Sequence, residues 1–369
     1  MAIRYLTSGE SHGKCLNAII EGIPYGYELD FDFINSELCA RQQGVGRGGR
    51  MKIETDKIKI NSGVRFGITT ASPICLEIKN KDWQNWTFPM SVEKLDFDSL
   101  DDEIKNQIKE KKISRFRPAH ADYSAACKYD FDDIRFSLER SSARETATRV
   151  ALGAICQTIL KEYKIEFESE ILQIGECKNK EEFEKYILDY KEQGDSLGGI
   201  IKLTIKNVPI GLGSFVHWDR RLDSKLASAM MSIPAIKSVE VGLGKEYATK
   251  TGTQSHDEIF YDEKYYRKTN NSGGIEGGMS NGEDIILTLA MKPIPTMKKA
   301  LNSIEIKTHN QTLAHFERAD NCAVEACAVV ARNMSAIIIL DEFLEKFGKD
   351  SKRDIDFAFK NYQKRINEI

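Results

Sequence analysis

Two stretches limit the fold more than anything else in the chain: ATRVALGAICQTIL at 147–160 and AVEACAVVARNMSAIIIL at 323–340. In the first, Ala147, Val150, Ala151, Ala154 and Ile155 recur at spacings of three and four, the period of a helix. Both stretches are apolar almost all round, and a helix of that kind is covered almost all round by protein. Glu325 and Arg332 interrupt the second, which therefore predicts a buried helix and not a membrane span. Strands supply the cover. IRYLT, LNAIIEG, the alternating MKIETDKIKI and SPICLEI precede the first helix, with FDFINSELCARQ helical in character among them. EFESEILQIG, GIIKLTIKNV and DIILTLAM precede the second. The expected fold is α+β, with long buried helices between antiparallel sheets, as a layered β-α-β sandwich, or against one sheet.

The chain thus reads twice as strands followed by a long helix, with Arg140 and Arg318 just ahead of each. That suggests an internal duplication, although the halves share too little sequence to establish one. No proline-rich or low-complexity linker divides residues 1–369, which read as a single domain. Ser142 and Glu145 form S-x-x-E, a capping-box start for the first helix. Lys346 and Gly348 suit the end of the second. The charged run at 93–112 reads as a solvated helix or loop.

A formal net charge of −3 argues against bulk nucleic-acid binding. The eight cysteines include no C-x-x-C pair, and Cys75 and Cys156 sit in apolar runs as small core residues. A reduced, cytoplasmic setting is expected, and no apolar run before Glu10 suggests a signal peptide.

Gly9-Glu10-Ser11-His12-Gly13 fits G-x-S-x-G, the nucleophile elbow of serine hydrolases. The elbow needs a strand–turn–helix setting, whereas here the strand-like LNAIIEG follows. The other readings are a glycine-bounded turn, or a turn that presents His12 as an acid or base. GVGRGG at 44–49 fits G-x-G-x-x-G, but it follows a helical segment and opens an alternating run, so it is no dinucleotide fingerprint. It leaves Arg41, Arg47, Arg50 and Lys52 on a flexible backbone able to close on a polyanion, or simply a solvated basic loop. RFRPAHADY sets His120 near Arg115 and Arg117. In LERSSARETATR, Arg140 and Arg144 flank a helix start, where backbone N–H groups already favour a phosphate. Five glycines in SGGIEGGMSNG suit a hairpin or a close approach to a flat ligand. Asp320, ahead of the last helix, is an N-cap candidate and equally a candidate base.

In their order along the chain, LTSGESHGK, ARQQGVGRGGRMKIETDKIKINSGVRFG, RPAHADY, LERSSARETATRVALGAI, TNNSGGIEGGMSNGEDIILTLAMKPIPT and ERADNCAVEACAVVA resemble the chorismate synthases. The resemblance spans nearly the whole chain and is weakest at 93–112, at 176–195 and over the last twenty or so residues. It implies conversion of 5-enolpyruvylshikimate 3-phosphate into chorismate and phosphate, a step of the shikimate pathway that leads to aromatic amino acids. The reaction is a 1,4-anti elimination that needs reduced FMN without net oxidation. A homotetramer is implied, with no nucleic-acid or membrane partner. NADPH is a candidate reductant, and the lack of a visible oxidoreductase domain favours an outside flavin reductase.

Residue by residue, the resemblance gives His12 the protonation of the departing phosphate and His120 the protonation of reduced FMN. Asp320 works with Ser11 on the flavin N5 proton. FMN contacts fall on Arg140, Ser141, Ser142, Pro234, Ala235 and Gly277. They continue on Lys292, Pro293, Ile294, Pro295, Thr296 and Arg318. Arg41 and Arg47 match positions that serve NADP or substrate anions, and no metal is implied. The chain departs from the family pattern at Ala40, Ala119, Pro234 and Glu325. Two further classes remain to be tested, a serine hydrolase using Ser11 and an RNA-binding module using the arginine–glycine loop.

Overall fold

Alternation in the strands builds two four-stranded antiparallel sheets, and the computed structural model describes them within residues 2–47, 55–317 and 320–369. The first contains β1 (Arg4–Ser8), β2 (Cys15–Glu21), β3 (Ile58–Ser62) and β4 (Ile74–Lys79), in the order β1-β2-β4-β3. The second contains β5 (Glu166–Ile174), β6 (Gly199–Lys206), β7 (Ile236–Val241) and β8 (Ile285–Met291), in the order β5-β6-β8-β7. Register is set by the inward rows. Leu76 of β4 sits opposite Ala18 of β2, and Leu287 of β8 opposite Leu203 of β6, all four buried.

Two helix layers lie between the sheets. α2 (Thr146–Lys161) packs on β2 of the first sheet, and α1 (Phe31–Gln42) packs along α2. α3 (Leu222–Met231) and α4 (Val324–Phe347) belong with the second, and α5 (Lys352–Ile366) packs on α4. α2 is buried at nearly every position from Thr146 to Leu160, as its composition requires. α2 and α4 lie along each other so closely that a Cβ at Gly153 would overlap the Asn333 carbonyl oxygen. One continuous core links Leu76, Ile155, Leu340 and Leu203, reaching from sheet to sheet.

The polar interruption in α4 has its own partner. Arg332 reaches Glu37 of α1 at 2.6 and 2.8 Å, and Asn333 joins the same carboxylate at 2.6 Å. Among the described residues, no helix is long and apolar enough to cross a membrane.

Several local expectations shift. Ser142 does accept a backbone N–H, from Arg144 at 3.3 Å, but it caps a short 3-10 turn over Ala143–Glu145 ahead of α2. Glu145 pairs with Arg149 at 2.9 Å, one helical turn on, so the capping box is not formed. Asp320 is not an N-cap, because Ala323 holds that position of α4. The run at 93–112 forms a helix over Asp102–Lys111 with no buried residue.

Candidate active site

GESHG is the loop of the β1–β2 hairpin, so strand leads to turn and back to strand. The hydrolase elbow is thereby ruled out as a fold element. Gly9 has φ +102°, and a Cβ there would overlap the Cys15 carbonyl oxygen. Asn80, at the end of β4, donates its side-chain amide to the carbonyls of Glu10 (3.2 Å) and Gly13 (2.7 Å). From the other side, the Ser11 N–H donates to the Glu139 carbonyl at 3.0 Å. The backbone of the turn is thus held from both sides, by the Asn80 side chain and by the Glu139 carbonyl.

His12 projects from it onto Glu139, in the short helix Arg135–Ser141. Its backbone N–H donates to Glu139 Oε2 at 2.7 Å, and its ring Nδ1 meets Oε1 at 2.8 Å. A carboxylate only accepts, so Nδ1 carries the proton and proton exchange by the ring falls to Nε2. The ring stacks on Trp86 with centroids 3.9 Å apart and planes at 24°. Burial works against the Glu139 charge, but the bonds from His12 and the charge of Arg135 hold its carboxyl below the usual range.

His120 has a matching arrangement. Its Nδ1 lies 2.6 Å from Asp122 Oδ1, a fully buried carboxylate. Arg117 grips that carboxylate with Nε at 2.9 Å, Nη2 at 2.9 Å and its backbone N–H at 2.9 Å. Arg117 Nη2 also lies 2.9 Å from the His120 ring, but it already has Asp122 as acceptor, so Nδ1–H donates to Asp122. Burial opposes the Asp122 charge; the His120 and Arg117 bonds outweigh it and keep the carboxyl well below the usual range. Ala119 supports the loop in a left-handed conformation (φ 61°) that glycine adopts more readily, and Lys292 donates to its carbonyl.

Ser11, His12, His120 and Asp320 line one cavity of about 820 Å³. So do Ser141, Ser142, Pro234 and Ala235, and, from the segment after β8, Lys292, Ile294, Pro295 and Thr296. Arg41 and Arg47 line it too. Residues as far apart in sequence as Ser11 and Asp320 are thus gathered at one place. Ser142 Oγ donates to Ser11 Oγ at 3.2 Å, and Asp320 pairs with Arg47 at 2.7 Å. Burial and the nearby Lys237 charge push the Lys292 ammonium below its ordinary value.

Three expected contacts fall elsewhere. Arg140 turns to the carbonyls of Thr7 (2.9 Å) and Gly9 (3.2 Å) and braces the GESHG hairpin from outside the cavity. Gly277 is the exposed tip of the hairpin formed by Ile275–Glu276 and Met279–Ser280. Pro293 is exposed although its neighbours line the cavity. Arg318, and the basic loop from residue 48 through Arg50 and Lys52, lie outside the described residues.

The arginines at the helix start are also not arranged as an open phosphate cradle. Arg144 holds both oxygens of buried Asp56 at 2.7 Å and Asn80 at 2.9 Å, while lining the cavity wall. Arg41 lies 3.4 Å from the same Asp56 and is buried. Its Nε has no hydrogen-bond partner among the described residues. Burial foremost, with the like charges of Arg144 and Arg47, lowers the Arg41 guanidinium to about 10. Five groups in these contacts had no sequence signal of their own: Glu139, Asp122, Trp86, Asp56 and Asn80. Asp122 sat two residues from His120 in a motif already noted; Glu139 is 127 positions from His12, a pairing that only the fold reveals.

Ile233, Pro234, Ile294 and Val330 give this cavity an apolar side, and arginines, two lysines and two histidines give it a cationic one. Such a site defines an enzyme for a multiply anionic ligand with proton transfers to manage. A family model described as chorismate synthase matches residues 3–344. A chorismate synthase of Thermoanaerobacter pseudethanolicus is 51% identical over 362 residues, covering 98% of this chain and 97% of that one. One of Alkaliphilus metalliredigens is 48% identical, covering 97% and 99%. A crystal structure of chorismate synthase superposes with a TM-score of 0.78 at 38% identity, over 100% of this chain and 99% of the other. The chain belongs to the chorismate synthase family.

Proposed function

We propose that this chain converts 5-enolpyruvylshikimate 3-phosphate into chorismate and phosphate in the cavity that His12 and His120 share. One observation carries the assignment of the site: two histidines, each with Nδ1 held by a buried carboxylate, line the same cavity. The family uses reduced FMN, and the residues present fit it. Pro234, Ala235, Ile294 and Pro295 offer an apolar surface for a flat ring, and Arg41, whose buried Nε lacks a partner among the described residues, suits an anion. Reduced FMN supplies electron density that is lent to the substrate and regained, so no net oxidation occurs.

The protein's own part is binding and proton control. The substrate brings a phosphate and two carboxylates, which the cationic side of the cavity attracts. As the C3–O bond breaks, His12 delivers a proton from Nε2 to the phosphate, stabilising charge as it develops. His120, with Nδ1 tied to Asp122, holds a proton at the opposite ring nitrogen. Asp320 and Ser11 complete the proton-handling set, beside Arg47 and Ser142. Arg41 and Arg47 serve substrate anions or NADPH; anaerobic mixing with oxidised FMN and NADPH alone, read as flavin bleaching, decides between self-reduction and an outside flavin reductase.

The test of the whole reading is phosphate release from 5-enolpyruvylshikimate 3-phosphate with reduced FMN under anaerobic conditions. His12→Ala and His120→Ala each lower turnover by about 100-fold or more, and an unchanged rate in either removes its role. A homotetramer in a cytoplasmic setting completes the reading, measurable by sedimentation. We also read residues 1–369 as one domain, which the unbroken core supports. The shared order of strands in the two sheets supports a duplicated unit.

A further inference from the structure

The contacts around Glu139 exceed what a structural ion pair requires. Its backbone carbonyl accepts from the Ser11 N–H (3.0 Å), its Oε2 from the His12 N–H (2.7 Å), and its Oε1 from the His12 ring (2.8 Å). Oε1 also accepts from Arg135 Nη1 at 3.1 Å, one helical turn back. The same Nη1 lies 2.7 Å from Glu317, so two carboxylates share one guanidinium. Arg135 is fixed in turn by the Lys111 carbonyl at 2.9 Å. Trp86 closes the opposite side, with its face against the His12 ring and the Lys111 ammonium 4.4 Å from its centre.

We propose that Glu139 is the positioning residue for His12. By accepting both the backbone and the Nδ1 proton, it fixes the ring orientation and tautomer and makes Nε2 the proton-exchanging atom. The inference rests on the reading of His12 as the proton donor. His12 presents two donors and the carboxylate two acceptors, so the match is complete. A glutamine of the same shape has one acceptor and one donor. Either the backbone N–H of His12 faces an amide N–H, or the ring must turn Nδ1 into an acceptor. In the second case Nε2 holds the only ring proton, and giving it up would leave an imidazolate. Both outcomes impair proton delivery without changing the shape of the cavity.

Glu139→Gln therefore lowers kcat about 100-fold, within the range of general acid catalysis, and moves KM less than about threefold. In a His12→Ala background the same substitution changes kcat by less than about twofold, because its effect on turnover passes through that ring while the amide oxygen still accepts the backbone N–H. Equal losses in both backgrounds overturn the proposal. Full turnover by His12→Ala alone would instead break the reading it rests on. Selective 15N-histidine spectra of the unmodified protein show His12 protonated at Nδ1, and Glu139→Gln changes that signature; an unchanged one overturns the proposal. Should Glu139→Gln not fold, Glu139→Asp serves, since it keeps two acceptors at shorter reach. Its kcat falls in the wild-type background and is unmoved in His12→Ala; equal effects again overturn the proposal.

Discussion

Asp122 satisfies four donors at once: three from Arg117 and one from the ring of His120. An asparagine there turns a donor toward at least one of them and leaves the buried Arg117 without its anion. Removing one partner of a buried pair costs about 3–5 kcal/mol, because the remaining charge stays desolvated. Asp122→Asn is therefore expected to lower stability by that order, read from urea unfolding, and a loss below about 1 kcal/mol would contradict it. Cysteines give a second residue-scale expectation. Burial pushes the thiols of Cys322 and Cys327 up to about 11 and about 12, whereas Cys39 and Cys127 are exposed. A thiol reagent at pH 8 should label Cys39 and Cys127 in the native protein before Cys322 or Cys327. Prior labelling of the buried pair would show that the α4 end of the cavity opens readily.

Between elements, the tightest constraint is Gly153. In an exposed helix, replacing glycine by alanine gains about 1 kcal/mol from propensity. Here the added methyl meets the backbone of α4 at Asn333, which cannot swing aside as a side chain can. Overpacking costs about 1–3 kcal/mol, so the clash outweighs the propensity. Gly153→Ala is expected to lower the urea midpoint, and a rise would mean that the two helices separate easily. The helices themselves were legible in sequence because their period is local: FDFINSELCARQ is α1, and the stop after Phe347 falls at Gly348. Sheet order was not legible, since β4 pairs β2 across more than fifty residues with no local mark of register. The site was half legible. Histidines and glycine-rich turns advertise themselves, but Arg140 and Arg144 looked like anion binders because the same guanidinium chemistry serves carbonyls and Asp56 equally well. Asp320 misled for a like reason, an N-cap and an ion pair asking for the same residue type.

Over the whole molecule, these buried charges couple the site to acid stability. Glu139, Asp122 and Glu317 all have carboxyls held below their ordinary values in the folded chain. For Glu317, burial pushes upward, while the His315 ring 3.7 Å away, the charge and hydrogen bond of Arg135 and the charge of His12 prevail and bring it from 4.5 to about 2. A depressed folded value means that the unfolded chain binds more protons in that window. The stabilisation from Glu317 is thus present above pH 4.5 and is lost as pH falls toward about 2. A glutamine in its place cannot titrate, so Glu317→Gln should start from a lower stability at pH 7 and lose less on acidification. The measurement is the urea midpoint against pH, taken from pH 5 down to pH 3 in both proteins. Converging curves are expected; parallel ones would show that Glu317 titrates alike in both states and that Arg135 answers to Glu139 alone. Converging curves would mean that Arg135 serves both Glu317 and the Glu139 that grips His12, so the acid limb of stability reports on whether the site and its supporting charges form one electrostatic unit.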